Sequence, residues 1–274
     1  MKELADLHIH STYSDGVYRP CELASMAKSA GISVMALTDH DTLKGLPEMA
    51  RAAKCFGIDF IPGVELSTRW ENRQVHILGY GIDQRNGLLA ERLADLRNAR
   101  RNRLLKIISR LHEMGMDVEV PVPEEGYRAV GRPHIARAMV TQGYVKTVQE
   151  AFDLYIGEGK PAYQPQTKMT PAEAVAVIHQ AGGLAVQAHP DEIGDHPMAL
   201  RLIDTLPYDG LEIFHPSASE KNVEAFWMRA ATERNLLVTG GSDYHGNAGR
   251  FPERLHEWNI SREKVQDFLS RFGV

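Results

Sequence analysis

Cysteine is scarce in this 274-residue chain. Cys21 and Cys55 form no framework pattern, so a disulfide-stapled scaffold is set aside and free thiols in a reducing compartment are expected. Long hydrophobic runs are missing as well, and no stretch approaches the roughly 20 apolar residues of a membrane span. Charges and histidines interrupt the first residues where a signal peptide would be apolar, which leads us to expect a cytoplasmic protein with no membrane partner. Neither sign of charge dominates, the net charge being −5. The lack of a broad basic field argues against tight binding of long duplex DNA, and it leaves open a small anion held by a local basic cluster. No glycine-rich turn follows the first apolar segment, which disfavours an open dinucleotide-binding sheet. Repeats, low-complexity tracts and any signature of a protein partner are also missing.

Histidine is what the chain has in plenty. Twelve occur within an otherwise ordinary composition of 43% hydrophobic and 24% charged residues, and they point first to metal. "LADLHIH", "ISVMALTDH", "IDFIPGVELS" and "QVHILGYG" read as strands. "PCELASMAKSAG" reads as a helix with Pro20 at its start and Gly31 as its stop, and "LPEMARAAKCFG" as another. This alternation implies a parallel sheet covered by helices. It breaks at about residue 86, where one long helical pattern is followed by "VPVPEEG" and shorter helical pieces. It resumes with "TPAEAVAVIHQAG", capped by Thr170, then the strands "GLAVQAHP", "YDGLEIFHP" and "LLVTGGSDYH", and a closing helix "SREKVQDFLSRF". About seven strands result. The expected fold is α/β: a distorted (β/α)7 barrel over residues 1–85 and 170–274, with 86–169 as an all-helical insertion that caps a site and contributes substrate contacts.

The strand ends carry metal-type side chains: His8 and His10, Asp39 and His40, Glu65, His76, His189, His215, and Asp243 with His245. In a β/α barrel the C-terminal strand ends share one face, where catalytic groups collect. His8 and His10 are two residues apart on a strand, so both point the same way. Imidazole suits zinc, manganese or iron, and carboxylates add oxygen donors that can bridge two ions. So many donors exceed the needs of one ion. Two or three are implied, an arrangement suited to phosphate ester hydrolysis. Each residue also has a bland reading. Asp39 and His40 could cap a helix, Asp15 and Gly16 could form only a turn, His76 could be a core histidine, Glu65 a surface carboxylate and His189-Pro190 a strand stop. Their shared placement at one barrel end favours a single metal centre.

Taken in order, "DLHIHSTYSDG", "ALTDHDT", "GVELS", "VHILGY", "AHP" and "GSDYHG" resemble the motifs of the PHP (polymerase and histidinol phosphatase) family of amidohydrolase-like metal hydrolases. The likeness spans about 1–85 and 170–250. It implies a distorted seven-stranded barrel and a trinuclear phosphoesterase site. His8, His10, Glu65 and Asp243 would ligate the first ion. Glu65 would bridge to a second, held by His76 and His189, and Asp15, His40 and His245 would hold the third. Manganese is the expected occupant, with iron or zinc as alternatives. Asp15, His40, Glu65 and Asp243 would act in catalysis through a metal-bridging hydroxide.

Inside the insertion, "GRPHIARAMV" and "GEGKPAY" resemble the branch of that family that acts on nucleotides. The implied reaction removes the 3′-phosphate of a nucleoside 3′,5′-bisphosphate to give a nucleoside 5′-monophosphate. Arg132 and His134 stand at a predicted helix start, where backbone N–H groups favour an anion. Lys160 sits in a loop between glycine and proline, and these three residues are expected to grip the non-reacting 5′-phosphate. Arg100 and Arg103 are further candidate substrate contacts, against the reading of "RNARRNR" as a solvated helix face. His215 could touch phosphate, support the metal site or be structural. His112, His179, His196 and His256 are read as structural or solvent-facing. The alternatives are a 5′→3′ exonuclease on short RNA or DNA, a histidinol phosphatase, and a non-catalytic nucleotide-binding module. The module is disfavoured because all nine ligand positions are filled.

Overall fold

The structure, a computed structural model, describes residues 3–120, 131–165 and 168–274. The segment "VPVPEEG" at 120–126 therefore lies outside the described residues apart from Val120. The chain divides into two units, Met1–Glu91 with Lys168–Val274, and Arg92–Thr167.

The first unit opens with β1 (Leu4–Asp6), α1 (Pro20–Ser29), β2 (Ile32–Leu37), α2 (Leu46–Phe56), β3 (Asp59–Trp70) and β4 (Arg73–Tyr80). α3 (Gly87–Glu113) leads into the second unit, which contains α4 (Arg132–Thr141) and α5 (Val148–Ala151), the latter continued by a π-helical turn over Phe152–Ile156. The first unit resumes with α6 (Pro171–Gln180), β5 (Leu184–Gln187), α7 (His196–Thr205), β6 (Gly210–Phe214), α8 (Pro216–Glu220), α9 (Glu224–Glu233), β7 (Leu237–Gly240), β8 (Ile260–Ser261) and α10 (Gln266–Leu269). Local chemistry sets several of these bounds. Thr170 Oγ1 accepts the Glu173 N–H at 3.3 Å and Glu173 Oε2 accepts the Thr170 N–H at 2.8 Å, a reciprocal cap that starts α6. α2 ends at Gly57, whose φ of 65° suits a residue without Cβ.

The eight strands form one sheet in the order β7-β6-β5-β4-β3-β2-β1-β8. Its ends approach each other beyond the regular strands. Leu7 N–H donates to Gly240 O at 3.2 Å, His10 N–H to Tyr244 O at 2.9 Å, and Ile9 pairs with Tyr244 in parallel. The result is a nearly closed, distorted β/α barrel.

Three features depart from the sequence reading. The sheet is mixed, since β3/β4, β4/β5 and β1/β8 are antiparallel. β3 and β4 pair up to Trp70 and Arg73, so Glu71 and Asn72 alone turn the chain, and Glu71 takes a φ of 49°. A two-residue loop cannot hold the crossover that parallel strands need. There is also an eighth strand, the two-residue β8, and the expected closing helix is broken into 3₁₀ turns on either side of α10.

The barrel core gathers Leu7, Val34, Ile61, Tyr80, Val186 and Phe268. Tyr80 donates its hydroxyl to Leu7 O at 2.8 Å and meets Phe268 edge-on at 5.0 Å, so α10 packs into the barrel core beside the C-terminus of β4. The second unit has its own core of Leu104, Ile107, Leu111, Ile135, Met139 and Ile156.

Candidate metal centre and active site

Glu65 and His76 stand within β3 and β4, not at strand ends as expected, because these two strands run on as a long antiparallel pair. The ligand-bearing segments are held to one another by main-chain hydrogen bonds. Thr38 N–H donates to Ile9 O at 2.9 Å, Asp41 N–H to Glu65 O at 2.9 Å, and Ala188 N–H to His76 O at 3.1 Å. Buried carboxylates outside the expected set hold the same segments. Asp6 accepts Ser242 N–H at 2.9 Å, Ser242 Oγ–H at 2.6 Å and His8 N–H at 3.3 Å, and burial pushes its carboxyl up to about 7 against those hydrogen bonds. Asp39 is not a helix cap. It accepts from Ser11 N–H at 2.7 Å and from the hydroxyls of Ser11 and Ser14 at 2.6 Å each, which fixes the turn leading to Asp15. Gly241 is required by close approach, since a Cβ there would lie 2.3 Å from both His8 Cβ and His8 N. His189 and Asp243 take φ values of 23° and 51°, strained backbone at a site the surroundings over-determine.

On this frame the structure brings all nine expected ligands together. His8 and His10 are fully buried, and their Nε2 atoms are 3.1 Å apart. Both face Glu65 Oε2, at 3.3 and 3.1 Å, and Asp243 Oδ1, at 3.4 and 3.0 Å. His40 Nδ1 lies 3.0 Å from the same Glu65 Oε2. The other oxygen, Glu65 Oε1, faces His76 Nδ1 at 2.7 Å and His189 Nε2 at 3.1 Å. Asp15 meets His245 Nε2 at 3.2 Å and His10 and His40 at 3.9 Å each.

Three groups have ligand atoms within 4.8 Å of one another: His8, His10, Glu65 and Asp243; His10, Asp15, His40 and His245; and His40, Glu65 and His76. The first is the expected set. The others differ in that His10 joins Asp15, and His40 reaches Glu65 as well as Asp15. His189 stays with Glu65 Oε1 just outside the third group.

The electrostatics follow from this crowding. Burial works to raise the carboxyls of Glu65, Asp243 and Asp15, but neighbouring histidines outweigh it and hold all three well below the usual carboxylate range. Burial works to lower His8, His10 and His189, and the surrounding carboxylates overcome it, carrying His8 well above its ordinary range and His10 and His189 up to about 9. Burial takes His76 down to about 4 despite Glu65. Yet two Nε2 atoms 3.1 Å apart cannot both hold protons aimed at the same oxygens. Buried His40 Nδ1, Glu65 Oε2, Asp243 Oδ1 and His245 Nε2 have close neighbours and no hydrogen-bond partner. Nitrogen and carboxylate lone pairs that converge without protons between them are the donor set of divalent cations, and the residues fit that group.

Other expected residues lie outside these groups. His215 is buried, its Nδ1 accepts Ser217 N–H at 3.2 Å, and its Nε2 stands 3.9 Å from Asp243 Oδ2. In the second unit, Arg132 opens α4 and stacks on Phe152 and Tyr163 at 5.4 and 5.8 Å, while Arg103 covers Tyr163 at 5.7 Å. Arg103 is no solvated helix residue: burial, then the like charge of Arg132 and Arg100, lowers it to about 10. His134 Nδ1 accepts Gly131 N–H at 3.1 Å, and Lys160 is exposed after the turn closed by its N–H on Gly157 O. His179 and His196 are paired with Asp209 and Asp191 at 2.7 and 2.8 Å, and exposed His112 is paired with Asp117.

The sequence reading missed Asp6, Glu212 and Arg250. Arg250 reaches Asp243 Oδ2. Glu212 is fully buried beside His8 and His189. The signal was legible for the two acids, each a carboxylate inside an otherwise apolar strand.

A histidine and carboxylate centre gathered at one end of a distorted β/α barrel defines a metal-dependent hydrolase. The chain belongs to the PHP family, whose PHP domain model matches residues 6–180. It is 36% identical over 258 residues to the 5′-3′ exoribonuclease of Haemophilus influenzae, covering 91% of this chain and 92% of that one. It is 35% identical over 264 residues to the 3′,5′-nucleoside bisphosphate phosphatase of Chromobacterium violaceum, covering 89% of each. Among solved structures, a Bifidobacterium adolescentis protein described as a metal-dependent phosphoesterase matches with a TM-score of 0.75 and 29% identity, over 98% of this chain and 96% of that one. The chain is a metal-dependent hydrolase of phosphate esters. Among the described residues, no helix is long and apolar enough to cross a membrane.

Proposed function

We propose that this enzyme removes the 3′-phosphate of nucleoside 3′,5′-bisphosphates, with manganese as its metal and the cytoplasm as its compartment. One observation carries the reading: the three donor groups share residues pairwise, His10 between two, His40 between two and Glu65 between two. Shared donors would make three adjoining cation positions, with His8, His10, Glu65 and Asp243 at the first, Glu65, His76 and His189 with His40 at the second, and Asp15, His40 and His245 with His10 at the third. Divalent ions bound there would supply an ionised water near neutral pH and neutralise phosphoryl charge. The protein's own part is alignment. Glu65 keeps two positions at a fixed spacing, the buried histidines hold their rings by main-chain and carboxylate contacts, and the Asp6 and Asp39 networks keep the ligand loops from relaxing.

The nucleotide preference is assigned to the second unit. Its Arg132 and Arg103, both stacked on Tyr163, and with them Arg100, His134 and Lys160, are the side chains we assign to contacts with a phosphate that does not react. Binding energy from that phosphate would serve orientation of the reacting one.

A second reading, 5′→3′ exonuclease on short oligonucleotides, is favoured by the exoribonuclease name of the H. influenzae relative. Steady-state rates with Mn²⁺ on adenosine 3′,5′-bisphosphate, AMP and 5′-phosphorylated RNA oligomers test both. Faster phosphate release from the bisphosphate supports the phosphatase. Preferred release of mononucleotides from the oligomer would replace it with the exonuclease.

A further inference from the structure

Glu212 lies in β6 between Leu211 and Ile213, with no exposed surface. A carboxylate persists in such a place only when both oxygens are satisfied. Oε1 lies 2.9 Å from His8 Nδ1, and Oε2 accepts the main-chain N–H of His189 at 2.9 Å. A main-chain N–H can only donate, and an ionised carboxylate can only accept. Glu212 is therefore an acceptor on both sides, and the hydrogen bonded to it is carried by His8 Nδ1. That leaves His8 Nε2 as the ligating nitrogen, and Nε2 is the atom facing Glu65 Oε2 and Asp243 Oδ1. His245 is oriented by a similar contact, its Nδ1 lying 2.7 Å from Asp243 O while Nε2 faces Asp15.

We propose that Glu212 is a positioning residue that sets the tautomer of His8 with one oxygen and anchors the strained main chain of His189 with the other. It thereby ties together the two cation positions that Glu65 serves. This rests on the metal reading above and not on the identity of the substrate.

The carboxylate cannot be replaced by its amide. Glutamine has one acceptor, and the fixed N–H of His189 claims it. The amide nitrogen then faces His8 Nδ1 as a donor, so the ring proton moves to Nε2 and the ligating lone pair is lost. The opposite flip would set the amide NH₂ against the His189 N–H in a buried site. Either way the shape is kept and one donor–acceptor match is broken.

The test titrates Zn²⁺ against a competing chelator into metal-stripped wild type and Glu212→Gln, and records imidazole ¹⁵N spectra of the Zn²⁺-loaded proteins. Glu212→Gln should melt below wild type when metal-free, one buried match being lost, and bind Zn²⁺ about 10–100-fold more weakly at one or more positions. Wild-type His8 should carry its proton on Nδ1. Equal Zn²⁺ affinity in the two proteins, or a wild-type His8 bare at Nδ1, would overturn the inference, and the wild-type spectrum decides even if the variant fails to fold. A wild type that takes up no Zn²⁺ would overturn the metal reading on which it rests.

Discussion

Glu65 divides its two oxygens between separate histidine groups: Oε1 lies 2.7 Å from His76 Nδ1, and Oε2 lies 3.1 Å from His10 Nε2. A carboxylate that only neutralised one imidazolium would not turn both lone-pair faces into a ring of nitrogens. This geometry suits an anion shared by neighbouring cations.

His10 belongs to two donor groups and Asp15 to one. His10→Ala should therefore lower bound Mn²⁺ at two positions and Asp15→Ala at one, as measured by metal analysis after dialysis. Lost stabilisation of phosphoryl charge should cost about 10²–10³-fold in kcat for either variant.

Arg132→Ala and Lys160→Ala should each lower kcat/KM for adenosine 3′,5′-bisphosphate by about 1.5–3 kcal/mol of charge-assisted hydrogen bonding, or about one to two powers of ten. Adenosine 3′-monophosphate, which lacks the 5′-phosphate, should be cleaved by both variants at the wild-type rate. Equal losses on both substrates would remove the grip on the non-reacting phosphate.

The metal-free protein should lose stability as pH rises. His10 and His189, ordinarily near 6.5, are carried up to about 9, so their contribution is complete below about pH 6.5 and gone above about pH 9. Asp6, raised to about 7, acts in the same direction from about pH 4 upward. Glu65, Asp243 and Asp15, all lowered, contribute above the ordinary carboxylate range and are lost in acid. His76, taken from 6.5 down to about 4, costs stability as pH falls and so opposes Asp6 between about pH 4 and 6.5; melting in EDTA should therefore be highest within about pH 4–6.5 and fall by pH 9. Metal uptake near pH 7 should release protons, seen calorimetrically in buffers of different ionisation enthalpy. No proton release would contradict the protonated state of the empty histidines.

Gly241→Ala should push on His8, since its Cβ would stand 2.3 Å from His8 N. The expected cost is about 1–3 kcal/mol of overpacking, with weaker metal binding, readable by denaturant unfolding and Zn²⁺ titration. Gly31→Ala, where nothing lies within 4 Å of the added carbon, has only its φ of 79° to strain and should leave metal binding unchanged.

The ligands themselves were legible because residue type and position coincide: His8 and His10 just past β1, Asp243 and His245 just past β7. The barrel was legible from the alternation of apolar and amphipathic segments. The β3/β4 hairpin was not, because Glu71-Asn72 carries no glycine turn signal and the flanking strands could have led into a crossover. Glu212 and Asp6 stand out as acids in apolar strands, but their roles, like that of Asp39, depend on partners far away in sequence. The same holds for Arg103 and Arg132, which read as a charged helix face and a helix start and become neighbours only around Tyr163. The sharing of His10 and His40 between groups needs side-chain geometry that spacing along the chain cannot supply.

The most direct measurement strips the protein of metal and follows phosphate release from adenosine 3′,5′-bisphosphate as Mn²⁺ is added back, with bound ions counted at each step. The account predicts no turnover without metal and a rate that keeps rising until more than one ion is bound per chain. Full activity in the stripped protein, or saturation at a single ion, would contradict it.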